Sequence, residues 1–246
     1  MTTLQGHPVE NPARGPAGLA AAAAFRALSR LRGGRIFHPD GLAYSGTLAM
    51  HHVHRYGGVP LLERPSEYPV VCRLSRGGGL PEPIRDVLGL AVRILDAHGP
   101  DRHQDFLLAT GASARIARNL LLPGVGGFFG QTFSSLLPYR VGGQLRMVGA
   151  RSAVASSHRR RGSLNEVREA DARRELRFRL MFAPLSGDWA PFAELELDRR
   201  LPDSETEHLA FTPWNTGGGI RPAGPLQRLR RAAYRGSQHG RGVLAP

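Results

Sequence analysis

The stretch that decides the fold is Leu176-Arg-Phe178-Arg-Leu180-Met-Phe182, where a large apolar side chain recurs at every second position. This is the period of a β-strand. Phe192-Ala-Glu-Leu195-Glu-Leu197 alternates in the same way. Both strands are expected to have one buried and one wet face, as strands of antiparallel sheets do. Working outward, Leu145 to Ser157 opens this group of strands and His208 to Phe211 reads as a short further one. Pro213 to Gly219 is a turn-rich loop. Toward the N-terminus, Tyr44–His54, Pro69–Ser75, Leu88–Leu95 and Asp105–Thr110 are apolar or β-branched runs of strand length. Between the two groups, Gly124 to Gly143 mixes glycine pairs with Phe128, Phe129 and Phe133 and reads as loop. The Arg/Glu cluster His158 to Arg174 reads as a solvated insertion.

Helices are expected at Ala17–Arg32, ended by Gly33-Gly34, at Ala112–Leu122, stopped by Pro123-Gly124, and at Pro225–Ser237. Residues 1–16, with three prolines, read as a flexible leader, and 17–246 as a single domain. Seven or eight strands with helices at the ends and one crossing segment predict an α+β protein. Its centre is a closed antiparallel β-barrel of about eight strands with flanking helices.

The composition, 41% hydrophobic and 22% charged over 246 residues, suits a globular chain with a real core. A single cysteine, Cys72, excludes an internal disulfide framework and a zinc finger. It is read as buried and inert. No apolar stretch near the start is long enough to span a bilayer, and no signal peptide is recognised, so a soluble cytoplasmic protein is expected. The net charge is +13 and every basic residue is arginine. Such a surplus suits a polyanion, but no nucleic-acid-binding motif accompanies it, so nucleic acid is not the expected partner.

The residues with chemical potential begin in the last predicted helix. Arg230 and Tyr234 are four apart and share a face, and Arg241 returns near the same azimuth. A guanidinium beside a phenol lowers its pKa from about 10 by favouring phenolate. Phenolate is a hard ligand for ferric iron, and tyrosine is one of the proximal ligands used for haem. From this helix alone, a core tyrosine on a basic helix is the plainer reading.

Further motifs stand upstream. Arg35-Ile-Phe-His38-Pro-Asp-Gly41-Leu-Ala-Tyr-Ser-Gly46 forms R-x-x-H-x-x-G-x-x-x-x-G. Arg73-Leu-Ser75 forms R-x-S, and Arg85-Asp86-Val-Leu-Gly89-Leu-Ala91 forms R-D-x-x-G-x-A. Downstream come Leu209-Ala-Phe211-Thr-Pro213-Trp-Asn215 and the R-x-x-x-Y of Arg230 and Tyr234. In this order and spacing, over Arg35 to Arg241, the chain resembles the catalase family, and in its compactness the minimal catalase-like peroxidases.

The resemblance implies a catalase-like barrel holding haem b. His38 matches the distal histidine that takes a proton from peroxide and returns it to the leaving oxygen. Ser75 matches the residue that fixes the tautomer of that histidine. Tyr234 matches the proximal iron ligand, and Arg230 the arginine that keeps it a phenolate. Arg73 and Arg241 match arginines that pair with haem propionates, and Arg35 is assigned to the cofactor with them. The implied activity is that of a haem peroxidase or weak catalase acting on hydrogen peroxide or organic hydroperoxides. An organic electron donor and a homo-oligomer stay open.

The chain departs from the family pattern where a D-x-x-x-N segment supplies a distal asparagine. Asp105 is followed here by Phe-Leu-Leu-Ala109-Thr110, and Thr110 replaces the amide only if the register slips by one residue. Other readings exist. His51, His52 and His54 suit a divalent metal and a phosphodiesterase-like hydrolase but lack a carboxylate at a convincing distance. Gly77-Gly78-Gly79 lacks the Lys and Ser/Thr of a P-loop. A catalase fold without efficient haem chemistry, acting as a polyanion-binding protein, is the remaining alternative.

Overall fold

The computed structural model describes residues 40–51, 56–63, 65–77, 86–110, 126–154 and 162–224. In chain order the strands are β1 (Asp40–Met50), β2 (Ser66–Arg76), β3 (Leu88–Ile94), β4 (Gln104–Thr110) and β5 (Thr132–Ser134). They continue with β6 (Tyr139–Val141), β7 (Gln144–Ser152), β8 (Arg177–Ala183), β9 (Ala190–Arg200) and β10 (Ile220–Pro222). Among the described residues, three short helices, α1 (Pro60–Glu63), α2 (Leu164–Ala172) and α3 (Asp203–His208), interrupt them.

Eight strands close on themselves in the order β7-β5-β4-β3-β2-β1-β9-β8, with β8 pairing back onto β7. Every pairing is antiparallel. Closure removes the sheet edges that otherwise invite aggregation. β6 and β10 lie outside the ring and extend β7 into a three-stranded flap. The free edge of this flap is blunt. The Ile220 N–H is used on the Gly217 carbonyl, and Pro222 has no N–H.

Alternation sends Phe178, Leu180 and Phe182 of β8 inward, where they are buried, while Arg177 and Arg179 stay exposed. Inside, the Phe182 and Phe192 rings stack at 3.9 Å between centroids, and Phe106 meets Phe192 and Tyr139 edge-on. Each such side chain contributes about 1.5–3 kcal/mol by leaving water. Glycine permits one close approach in the ring. At the shift of register between β1 and β9, a Cβ on Gly46 would stand 2.0 Å from the Glu196 carbonyl oxygen.

Several expectations are corrected. The segment read as a solvated insertion, His158 to Arg174, contains α2, which buries Val167 and Ala170. Its start is a capping box, with Ser163 Oγ accepting from the Glu166 N–H and the Glu166 carboxylate accepting from the Gly162 N–H. Gly162 packs on Leu88, and its carbonyl accepts from Arg76 Nη1 at 2.9 Å, so the turn into α2 is seated where β2 ends. The strand expected at His208–Phe211 does not form. His208 ends α3, and 209–212 runs without strand pairing. Gly124–Gly143, read as loop, contains β5 and β6. β1 runs from Asp40 to Met50 rather than from Tyr44 to His54. The expected leader and the helices at 17–32, 112–122 and 225–237 lie outside the described residues. Among the described residues, no helix is long and apolar enough to cross a membrane.

Candidate functional site

The outer wall of the barrel carries a row of small residues at one register level. Gly41 of β1 pairs with Ser75 of β2, Ser75 with Gly89 of β3, and Gly89 with Ala109 of β4. Ala109 pairs with Ser134 of β5, and Ser134 with Gly149 of β7. Six adjacent strands thus present nothing larger than serine. In-register partners in antiparallel strands point to the same face. Here the intervening Leu42, Leu74, Leu90 and Leu108 belong to the core.

The next row, two residues along, is Ala43, Arg73, Ala91 and Leu107. Arg73 interrupts an otherwise aliphatic surface. Its guanidinium crosses Gly41, where a Cβ would lie 2.7 Å from Arg73 Cζ and 2.8 Å from the Leu74 carbonyl oxygen. Any side chain at position 41 would therefore displace this arginine. Ser75, two residues further, is 4% exposed.

The third row of the outer face is Ser45, Val71, Arg93 and Asp105. Asp105 is fully buried and pairs bidentately with Arg93, at 2.8 and 2.7 Å. The same carboxylate accepts from the Thr212 N–H at 2.9 Å and from Asn215 Nδ2 at 3.1 Å. Arg93 also donates to the Ala210 carbonyl and lies over the Phe211 ring. One buried carboxylate thereby fastens residues 210–215 across the lower wall. A charge so enclosed is sustained only because its acceptor sites are filled.

This geometry brings together two of the sequence-predicted site residues, Arg73 and Ser75, on one face of β2. Arg35, His38, Arg230, Tyr234 and Arg241 lie outside the described residues. The register slip that Thr110 would need to replace the missing amide does not occur. The β3–β4 pairing runs through without a slip and puts Ala109 in the row of Ser75. Thr110 belongs to the opposite face, where its Oγ1 accepts from the Leu88 N–H at 3.1 Å.

Among the described tyrosines, Tyr44 stands closest in sequence to the wall but faces the core. Burial, with the Asp171 carboxylate beside it, pushes its phenol up to about 12, the opposite of what an anionic ligand needs. Cys72 is fully buried, and burial pushes its thiol up, in keeping with an inert core residue. His51 is exposed, whereas His52, His54, Gly78 and Gly79 lie outside the described residues. Among the described residues, no group of three or more His, Cys, Asp or Glu gathers to hold a metal.

The sequence reading missed Arg93 and its role, and the pair His98–Gln104. His98 Nε2 and Gln104 Oε1 are 3.1 Å apart, Thr216 Oγ1 donates to the same Gln104 oxygen, and Gly217 and Gly218 pack on the imidazole. Burial lowers the His98 pKa below 6.5, and Arg102 adds to this, against the opposing hydrogen bond to Gln104.

The row is largely buried, and at its far end the Trp189 ring lies against Gly149, where a Cβ would stand 2.5 Å from Trp189 Cζ3. Strand glycines commonly mark such close approaches. No family model matches the chain, and no curated protein matches it.

Proposed function

We infer that the protein is a catalase-like haem protein acting as a peroxidase, with weak catalase activity, on hydrogen peroxide or organic hydroperoxides. The observation that carries this reading is convergence. Gly41 from the first motif, Arg73 and Ser75 from the second, and Gly89 and Ala91 from the third meet in register on one flat wall. The Asp105 that begins the incomplete D-x-x-x-N segment fastens residues 210–215 of the fourth motif to the same wall. Motifs chosen by one resemblance thus share one surface, which supports the reading.

In this reading Arg73, Arg35 and Arg241 would hold the propionates of haem b, and the Tyr234 phenolate would hold its iron. When bound, that group would supply the redox chemistry by which peroxide is reduced at the expense of a second peroxide or an organic donor. The chain's own residues handle protons and orientation. Arg230 favours the phenolate form of Tyr234 by its charge. His38 takes the peroxide proton and returns it to the leaving oxygen, a task suited to a group that titrates near neutrality. The Ser75 hydroxyl would fix the tautomer of His38. Ala109 offers no amide to orient peroxide, so dismutation suffers more than cofactor binding.

The test is a visible absorption spectrum of protein expressed with haem precursor, beside Tyr234→Phe. The reading predicts a high-spin ferric Soret band that is altered or lost in the variant. A colourless protein that also fails to take up added haemin overturns it.

A further inference from the structure

The flap outside the barrel carries arginines for which the haem reading has no use. Arg221 of β10 lies directly opposite Arg140 of β6, and Arg140 lies opposite Leu145 of β7. The three share the outward face, since the alternate residues Tyr139, Val141 and Ile220 are buried. Backbone bonds from Gly142 N–H to the Gly219 carbonyl and from Ala223 N–H to the Pro138 carbonyl flank the Arg140–Arg221 pair. That makes Arg140 and Arg221 a hydrogen-bonded pair, with Cα atoms about 5.5 Å apart.

Like charges placed directly opposite destabilise a sheet. Elsewhere on this barrel exposed arginines face carboxylates across strands, as in Arg177–Glu196 and Arg179–Glu194. Among the described residues, no carboxylate pairs with Arg140 or Arg221. Arg140 Nη1 donates to the Gly143 carbonyl at 2.7 Å, which steadies the side chain and leaves its other donors available. Leu145, next in the row, is 36% exposed.

We propose that Arg140 and Arg221 form a clamp for a phosphate group, with the organic part of a nucleotide or nucleic-acid strand lying over Leu145. Two planar guanidinium forks one strand apart present more donors than a single carboxylate can accept and match the oxygens of one tetrahedral phosphate. The net charge of +13 raises the local concentration of such anions and, for a polymer, adds affinity that falls with salt. The clamp is separate from the small-residue wall and stands whether or not haem binds there.

The experiment uses the full chain and two probes. Inorganic phosphate is titrated while the arginine Nε–Hε resonances are followed by NMR. A short fluorescein-labelled single-stranded oligonucleotide is titrated by anisotropy at low and at physiological ionic strength. Arg140→Ala and Arg221→Ala should each weaken binding about tenfold, the loss of one charge-assisted contact. The double variant should lose little more than either single one, because both side chains hold the same group. Arg179→Ala, which removes an exposed arginine already paired with Glu194, should stay within about twofold of wild type. Binding of the oligonucleotide alone identifies a polymer as the phosphate source, and binding of inorganic phosphate alone a small ligand; either supports the clamp. Binding of neither probe overturns it, as does an unchanged affinity in both single variants or an equal loss in Arg179→Ala.

Discussion

At position 109 the proposed chemistry turns on a single side chain. Ala109 stands in the row of Ser75 with only Gly89 between them, so a longer side chain there points along the wall. Ala109→Asn restores an amide where the family pattern has one. Its expected effect is a several-fold rise in peroxide dismutation, measured by oxygen evolution, with haem content unchanged. An unchanged rate in a haem-replete variant would show that the wall at Ala109 does not face the peroxide. At the same scale, Gly41 is constrained by a neighbour. Gly41→Val drives a side chain into the Arg73 guanidinium, which must move. Weaker haemin uptake than in wild type, read from the Soret titration, is the predicted consequence.

Among the elements, the segment 209–215 depends on one carboxylate. Asp105→Ala leaves Arg93 without its partner and frees the Thr212 N–H and the Asn215 amide. Breaking a buried pair from one side costs about 3–5 kcal/mol, to be read from urea unfolding; because Arg93 keeps some solvent access, the low end is expected. A loss below about 1 kcal/mol would mean that 209–215 is held by other contacts. The neighbouring loop responds to pH through His98. Its folded pKa lies below 6.5, so the folded state favours neutral imidazole and the unfolded state binds the extra proton. The associated stability is present above 6.5 and is lost as pH falls through the lower, folded-state value. His98→Gln keeps a polar partner for Gln104 but does not titrate. Its Tm is predicted to fall less steeply than that of wild type on acidification from pH 7, and parallel curves would contradict the assignment.

Legibility in the sequence followed the strength of local periodicity. The strands with clean alternation or compact apolar runs, β2, β3, β4, β8 and β9, were readable to within a few residues, because each carries its burial pattern in its own side chains. Three-residue strands such as β5 and β6 have too short a period to see, and they exist because β4 and β7 offer them open ladders. The capping-box spacing of Ser163 and Glu166 was present but overshadowed by the surrounding arginines. The expected strand at 208–211 failed because Asp105, about a hundred positions away in sequence, captures the backbone beyond it. Of the candidate site, Ser75 and Arg73 could be named from a motif, yet the flat wall they stand on could not. Its row of small residues emerges only when six strands are set in register.

For the whole molecule, closure of eight strands does two separate things. It buries the aromatic stack around Phe192, and it turns the alternate residues of β1 to β5 and β7 into one outer wall. Phe192→Ala, which removes contacts with both Phe182 and Phe106, is expected to cost about 3–5 kcal/mol by urea unfolding. Haem binding on this outer face is tested most directly by blocking it. Ala91 lies in the second row beside Arg73 and is only partly buried, so Ala91→Phe fills the wall from outside without entering the core. The measurement is a haemin titration of wild type and Ala91→Phe followed at the Soret band, with equal Tm values establishing that both are folded. The account predicts one haem per chain for wild type and little or none for the folded variant. Equal uptake by the two proteins, or none by either, would contradict it.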